Sequence, residues 1–197
     1  MERRKILMKK VLGSFFLLIS LCSSLYGFER DTNYDIAVSS FSRADIIRVF
    51  KYAVHFNEVF KISTYGDENY TKIRKLLELY DEMILAPYYR GSVEILSKSN
   101  DQELTLEMLK LLISYENSAD EELSYGLAEV YAKNPNLIET TVKEFNIEIQ
   151  KGLTKRLEES LRLLIENKER PNIELLRKRL RAFIETIAGS EGNGVSP

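Results

Sequence analysis

From Ser42 to Ile187 the long segments of this chain repeat their apolar residues at intervals of three and four, and none alternates apolar with polar. An average interval near 3.6 lines one side of an α-helix, whereas a half-buried strand needs a period of two. The pattern predicts an all-α fold. Ser42 is placed to cap a first helix that has Ile46, Phe50, Ala53, Val54, Asn57 and Phe60 on one face. Tyr65-Gly66-Asp67 breaks it, and a second helix is expected from about Glu68 to Ala86 with Ile73, Leu76, Leu77, Tyr80, Met83 and Ile84 inward. Pro87 is expected to stop or restart the chain, because it lacks an amide donor and restricts the residue before it. Tyr88 to Leu96 is a shorter segment with Val93 and Leu96 as core contacts and Gly91 as a weak point.

Two stretches in the middle are nearly the same phrase: Asp101-Gln-Glu-Leu-Thr105 and Asp120-Glu-Glu-Leu-Ser124. After each acidic start the apolar residues keep step. Leu104, Met108, Leu111 and Leu112 are answered by Leu123, Leu127, Val130 and Tyr131, both sets at i, i+4, i+7 and i+8. Asp101 and Asp120 are placed as helix caps, since a carboxylate there accepts from the unpaired first-turn amides and opposes the positive end of the helix dipole. Ser97 to Asn100 is the turn before the first of these helices. After the second, Asn134-Pro135-Asn136 is a turn, and a helix near Leu137 is expected to carry Leu137, Thr141, Val142, Phe145 and Ile149 on one side. Gly152 marks an expected break. Leu153, Leu157, Leu161, Leu164 and Ile165 form the next stripe, and Leu176, Leu180, Phe183, Ile184 and Ile187 the last, after Arg170-Pro171-Asn172.

Short connections make sequential helices pack antiparallel, which predicts helical hairpins stacked as a short α-solenoid, with an irregular helical bundle as the alternative. In its acidic turns followed by leucine-rich helices, Asp101 to Tyr131 resembles the HEAT-like helical repeat proteins. The resemblance implies a curved scaffold that binds other macromolecules and has no chemistry of its own.

The beginning of the chain has another character. Arg3, Arg4, Lys5, Lys9 and Lys10 precede a largely apolar run from Val11 to Leu21, and small and polar residues follow up to Gly27. That is the layout of a secretory signal peptide, expected to be cleaved after Gly27, and it predicts export to the periplasm or the extracellular space. The run is shorter than the roughly 20 residues of a spanning helix. Cys22, the only cysteine, stands where a lipoprotein signal puts its modified residue, but it follows Leu21 where a small residue is normal, so it is expected to leave with the signal. Membrane contact therefore requires either a lipid on Cys22 or a retained signal. Residues 28–41 read as an extended lead-in, 42–188 as one helical domain, and 189–197, rich in Gly and Ser, as a disordered tail.

Residues 1–27 carry five basic groups and one acidic group, a net of +4; taking this from the whole-chain −2 leaves −6 for the chain from Phe28 onward. An acidic domain is a poor nucleic-acid binder, because neutralising phosphates takes an excess of Lys and Arg. His55 is the only histidine, which rules out a two-histidine zinc site within the chain, and helical phase puts it on the outer side of its helix. Asp120-Glu121-Glu122 lacks the alternating oxygen ligands and glycine of a calcium loop, and capping accounts for it. No cofactor is expected. Tyr88-Tyr89-Arg90 combines residue types common at interface centres, and two adjacent tyrosines on a helix do not share one core direction, so these three are the candidate partner-binding residues. Arg177, Lys178, Arg179 and Arg181 give the last helix a basic face, most simply a solvated one. The expectation is a non-enzymatic exported scaffold that binds a protein or envelope component. The alternatives are a peptidoglycan hydrolase with a Glu general acid, and an envelope-tethered structural protein.

Overall fold

In the computed structural model, which describes residues 41–62, 68–115, 121–166 and 172–191, every element is helical. Ser42 starts α1 (Arg43–Ile62). Its Oγ accepts from the Asp45 amide at 3.2 Å and donates to the Asp45 carboxylate at 2.6 Å, so side chain and first turn satisfy each other. Ile46, Phe50 and Ala53 are fully buried and Asn57 nearly so, as the stripe required. The expected signal peptide, with Cys22, the lead-in up to Ser40 and the break at Tyr65 to Asp67 lie outside the described residues.

Beyond the break, α2 (Glu68–Tyr80) runs without interruption into a π-helical turn (Asp81–Leu85) and then α3 (Ala86–Leu96). Pro87 therefore does not stop the chain. In a regular helix its ring would press on the carbonyl four residues back and leave that carbonyl unbonded. The wider turn, in which the Ala86 amide bonds the Asp81 carbonyl five residues back, loosens the backbone at this point and admits the ring. The same turn shifts the inward stripe. Tyr80 is followed on the core side by Leu85, five residues on, and then by Tyr89, Val93 and Leu96, all buried. Met83, expected inward, is instead half exposed, and Ile84 is half-buried.

Asp101 caps α4 (Gln102–Ser114), its Oδ1 accepting from the Leu104 amide at 3.0 Å. Asp120 lies outside the described residues, immediately before α5 (Glu121–Lys133). All eight residues of the matched stripes are at most 3% exposed. Removing each from water contributes about 1.5–3 kcal/mol against the cost of ordering the chain. Pro135 occupies the first turn of α6 (Pro135–Val142), a helix of only two turns. It ends at Lys143 because Asn146 starts α7 (Ile147–Glu166): its Oδ1 accepts from the Ile149 amide at 3.0 Å, while Gln150 Nε2 donates to the Phe145 carbonyl at 2.6 Å. The expected break at Gly152 is absent. Gly152 is an exposed interior residue of α7, and a single glycine costs about 1 kcal/mol, less than the burial of Leu153, Leu157, Leu161 and Leu164 returns. The final helix, α8 (Ile173–Glu191), continues through Gly189, so the helix outlasts the boundary expected at 188. Residues 192–197 lie outside the described region.

Within the unit that spans residues 37–197, the helices fall into two rows. α1, α4 and α6 pack in sequence along one row, and α3, α5 and α7 along the other; α8 closes on α7. Neighbours within a row are helices of the same direction. Arg43 and Asp101 join the starts of α1 and α4, and Asn57 Nδ2 donates to Ser114 Oγ at 3.2 Å near their ends. Arg90 and Glu122 likewise join the starts of α3 and α5. Successive chain segments thus alternate between rows, which makes the all-α fold a stack of helical hairpins.

Candidate interaction surface

Tyr88, Tyr89 and Arg90 open α3, where the chain leaves the π turn. Adjacent helical residues point about 100° apart, and the π turn decides which of the three faces the core. It is Tyr89, 1% exposed, whose hydroxyl donates to the Leu123 carbonyl at 2.5 Å and whose ring lies 6.1 Å from that of Phe50. Tyr89 is therefore withdrawn from any surface, a correction to its reading as a partner-binding residue. Its place is made by Gly126 on α5: a β-carbon there would come within 2.5 Å of Tyr89 Cε1 and 2.8 Å of Val93 Cγ2. Tyr88 is half-buried and stacks on Phe41, centroids 3.9 Å apart. Arg90 is exposed and its Nε bonds Glu122 at 2.6 Å. What remains at the surface is Tyr88 with Phe41 and, separately directed, the Arg90–Glu122 pair.

One row further, Arg43 spans both acidic residues that open α4, bonding Asp101 and, at 2.6 Å, Glu103. The Arg43 guanidinium holds the Asp101 carboxyl below the ordinary carboxylate range, helped by the Leu104 amide and opposed by partial burial. The acidic phrase is thus occupied by a cap and an ion pair. Near the other ends of these helices Tyr115 donates to Asp81 Oδ1, in the π turn, at 2.5 Å. Burial, and then the charge of Asp81, push the Tyr115 hydroxyl well above the usual tyrosine range.

The basic run of α8 divides. Arg179 grips both oxygens of Glu139 at 2.7 Å and also bonds Asn136, and Tyr131 donates to the same Glu139 at 2.9 Å. It fastens α8 to α6 and is no part of a free basic face. Arg177 faces Glu174 at 3.4 Å, and Lys178 and Arg181 are exposed. His55 is exposed, with Glu58 4.0 Å away, in keeping with a surface histidine. Among the described residues no group of His, Cys, Asp or Glu is placed to hold a metal ion, and no helix is long and apolar enough to cross a membrane.

Three polar or small residues went unnoticed in the sequence. Glu107 is 6% exposed and accepts from Lys110 at 2.8 Å. Arg156 of α7 donates from Nη1 to the Leu112 carbonyl at 2.8 Å and from Nε to Ser124 Oγ at 3.2 Å, closing the end of α4. Gly126 carried a legible signal: a glycine between Leu123 and Leu127 on an amphipathic helix marks a close approach. Arg156 carried none, because its partners lie on other helices; the pairing of Glu107 with Lys110 follows from their spacing within α4, and only the burial of Glu107 is set by packing between helices. No family model, curated protein or solved structure matches this chain.

Proposed function

We propose that this protein is an exported, non-enzymatic helical scaffold that binds a protein or a component of the cell envelope. The observation that carries the reading is the two-row stack. Such an arrangement spends its leucines between helices and leaves the outer faces and helix starts as continuous surface, the form in which helical repeat scaffolds present binding sites. The layout of residues 1–27 supports export. The polar groups at the helix starts engage one another, Arg43 with Asp101 and Glu103, Arg90 with Glu122, which suits a rigid presenting surface. Tyr88 and Arg90 are the residues of that surface we assign to the partner.

The test has two arms on protein purified after processing by its own cell. Tyr88→Ala with Arg90→Ala should keep the helical circular dichroism and lose a cross-linked envelope partner that the unaltered protein retains; undiminished cross-linking refutes the placement. Incubation with purified peptidoglycan should release no soluble fragments, and release that depends on a single Glu would replace the scaffold with the hydrolase.

A further inference from the structure

Among the described residues only three large apolar side chains are exposed: Leu79 at 48%, Met83 at 50% and Leu175 at 68%. Two of them, Leu79 and Met83, are four residues apart on one continuous helix, and half-buried Leu76, Ile84 and Pro87 adjoin them. The π turn creates this ridge. By carrying the core stripe from Tyr80 to Leu85 in a step of five, it leaves Met83 outside, above Leu79. From Leu76 to Pro87 the ridge runs about 16 Å. Monomeric surfaces scatter such residues singly; a continuous line of them marks a contact.

The charges beside the ridge say what fits it. Lys75 stands one turn before Leu79 and Glu82 one residue before Met83, so both flank the ridge on the same side, one towards each end, and both are exposed. We propose that this ridge is the contact between two copies of the chain, packed antiparallel about a two-fold axis beside Leu79. In that arrangement Leu79 meets Leu79, Leu76 meets Met83, and Lys75 of each copy faces Glu82 of the other; the symmetry makes the ion pair twice. A parallel arrangement would carry this flank of the two copies to opposite edges of the contact, so that Lys75 and Glu82 would not face each other. One helix ridge covers less than the interface of a tight complex, so the pair dissociates on dilution. The inference rests on the fold and holds whether or not the protein is exported.

Sedimentation equilibrium of the protein, expressed from its full-length gene and purified as processed, should give twice the chain mass at high concentration, falling towards a single chain on dilution. Leu79→Lys with Met83→Lys should leave one chain at every concentration with unchanged circular dichroism, since neither side chain is in the core. Lys75→Glu or Glu82→Lys alone should weaken association roughly tenfold, because two ion pairs become repulsions. The two together in one chain should restore it. A protein monomeric throughout, or a dimer that survives the ridge substitutions, overturns the proposal. Failure of the combined charge exchange to restore what each alone loses overturns the antiparallel pairing.

Discussion

Replacing Gly126 by alanine should destabilise this protein, although the same change in an ordinary helix interior stabilises. Alanine gains about 1 kcal/mol over glycine through helix propensity. Against this, its β-carbon would lie 2.5 Å from Tyr89 Cε1, 2.8 Å from Val93 Cγ2 and 3.1 Å from Tyr89 Cζ, so something must move. Tyr89 has little freedom to yield: it is 1% exposed, and its hydroxyl is fixed to the Leu123 carbonyl one turn before Gly126. Forcing a methyl group into a packed core costs about 1–3 kcal/mol, and shifting the ring weakens a buried hydrogen bond worth about 1 kcal/mol. The net expectation is a loss of about 2 kcal/mol, or a fall in Tm of about 4–8 °C for a domain of this size. Urea unfolding followed by far-ultraviolet circular dichroism measures it directly. The cause is tested by Tyr89→Leu, which removes the ring and its hydroxyl: alanine at 126 should cost much less on that background, a coupling visible in a double-mutant cycle. If Gly126→Ala is neutral or stabilising in the parent protein, the close approach of α3 and α5 is wrong as described.

Two further perturbations address the ties between rows. Asp101→Asn keeps an oxygen able to cap α4 but loses the charge that pairs with Arg43. Because the folded state holds this carboxyl below its ordinary range, its contribution is complete above that range and is lost as pH falls through the depressed value. The parent should therefore be more stable than the variant near neutral pH and converge with it in acid; a gap unchanged by acid would refute the assignment. Arg156→Ala should cost about 1–2 kcal/mol in urea unfolding, because it leaves the Leu112 carbonyl without its donor from α7. Arg156→Lys should recover at most part of this, since two nitrogens of one guanidinium reach two acceptors; full recovery by lysine would show that charge alone matters.

The helical period carried most of the fold. Ser42 and Asp101 cap the helices they were expected to cap, and the leucines of the matched phrases are buried as their spacing demanded, because caps and stripes are local properties of a dozen residues. The errors lay where two local signals competed. Pro87 and Gly152 are breakers by type, yet one is absorbed by a π turn and the other is outweighed by the leucines around it. Asn146 is a cap by type, but the apolar stripe from Leu137 to Ile149 runs through it and hides the boundary between α6 and α7. The candidate surface fared less well. Tyr88, Tyr89 and Arg90 are neighbours in the chain, but a helix sends neighbours in different directions, and a one-residue shift in the π turn decides which of them is lost to the core.

By itself, then, the sequence determined that this chain is helical, that the leucines of its matched phrases face inward, and how charge is laid out along its first residues, since these depend on composition and on periods short enough to read. Only the tertiary structure decided that the helices fall into two rows, that Arg179 and Arg156 are fasteners, and that Leu79 and Met83 face outward. Those outcomes depend on which distant helix meets each face, and on the energy of packing a ring such as Tyr89 against the one position, Gly126, that has no side chain to exclude it.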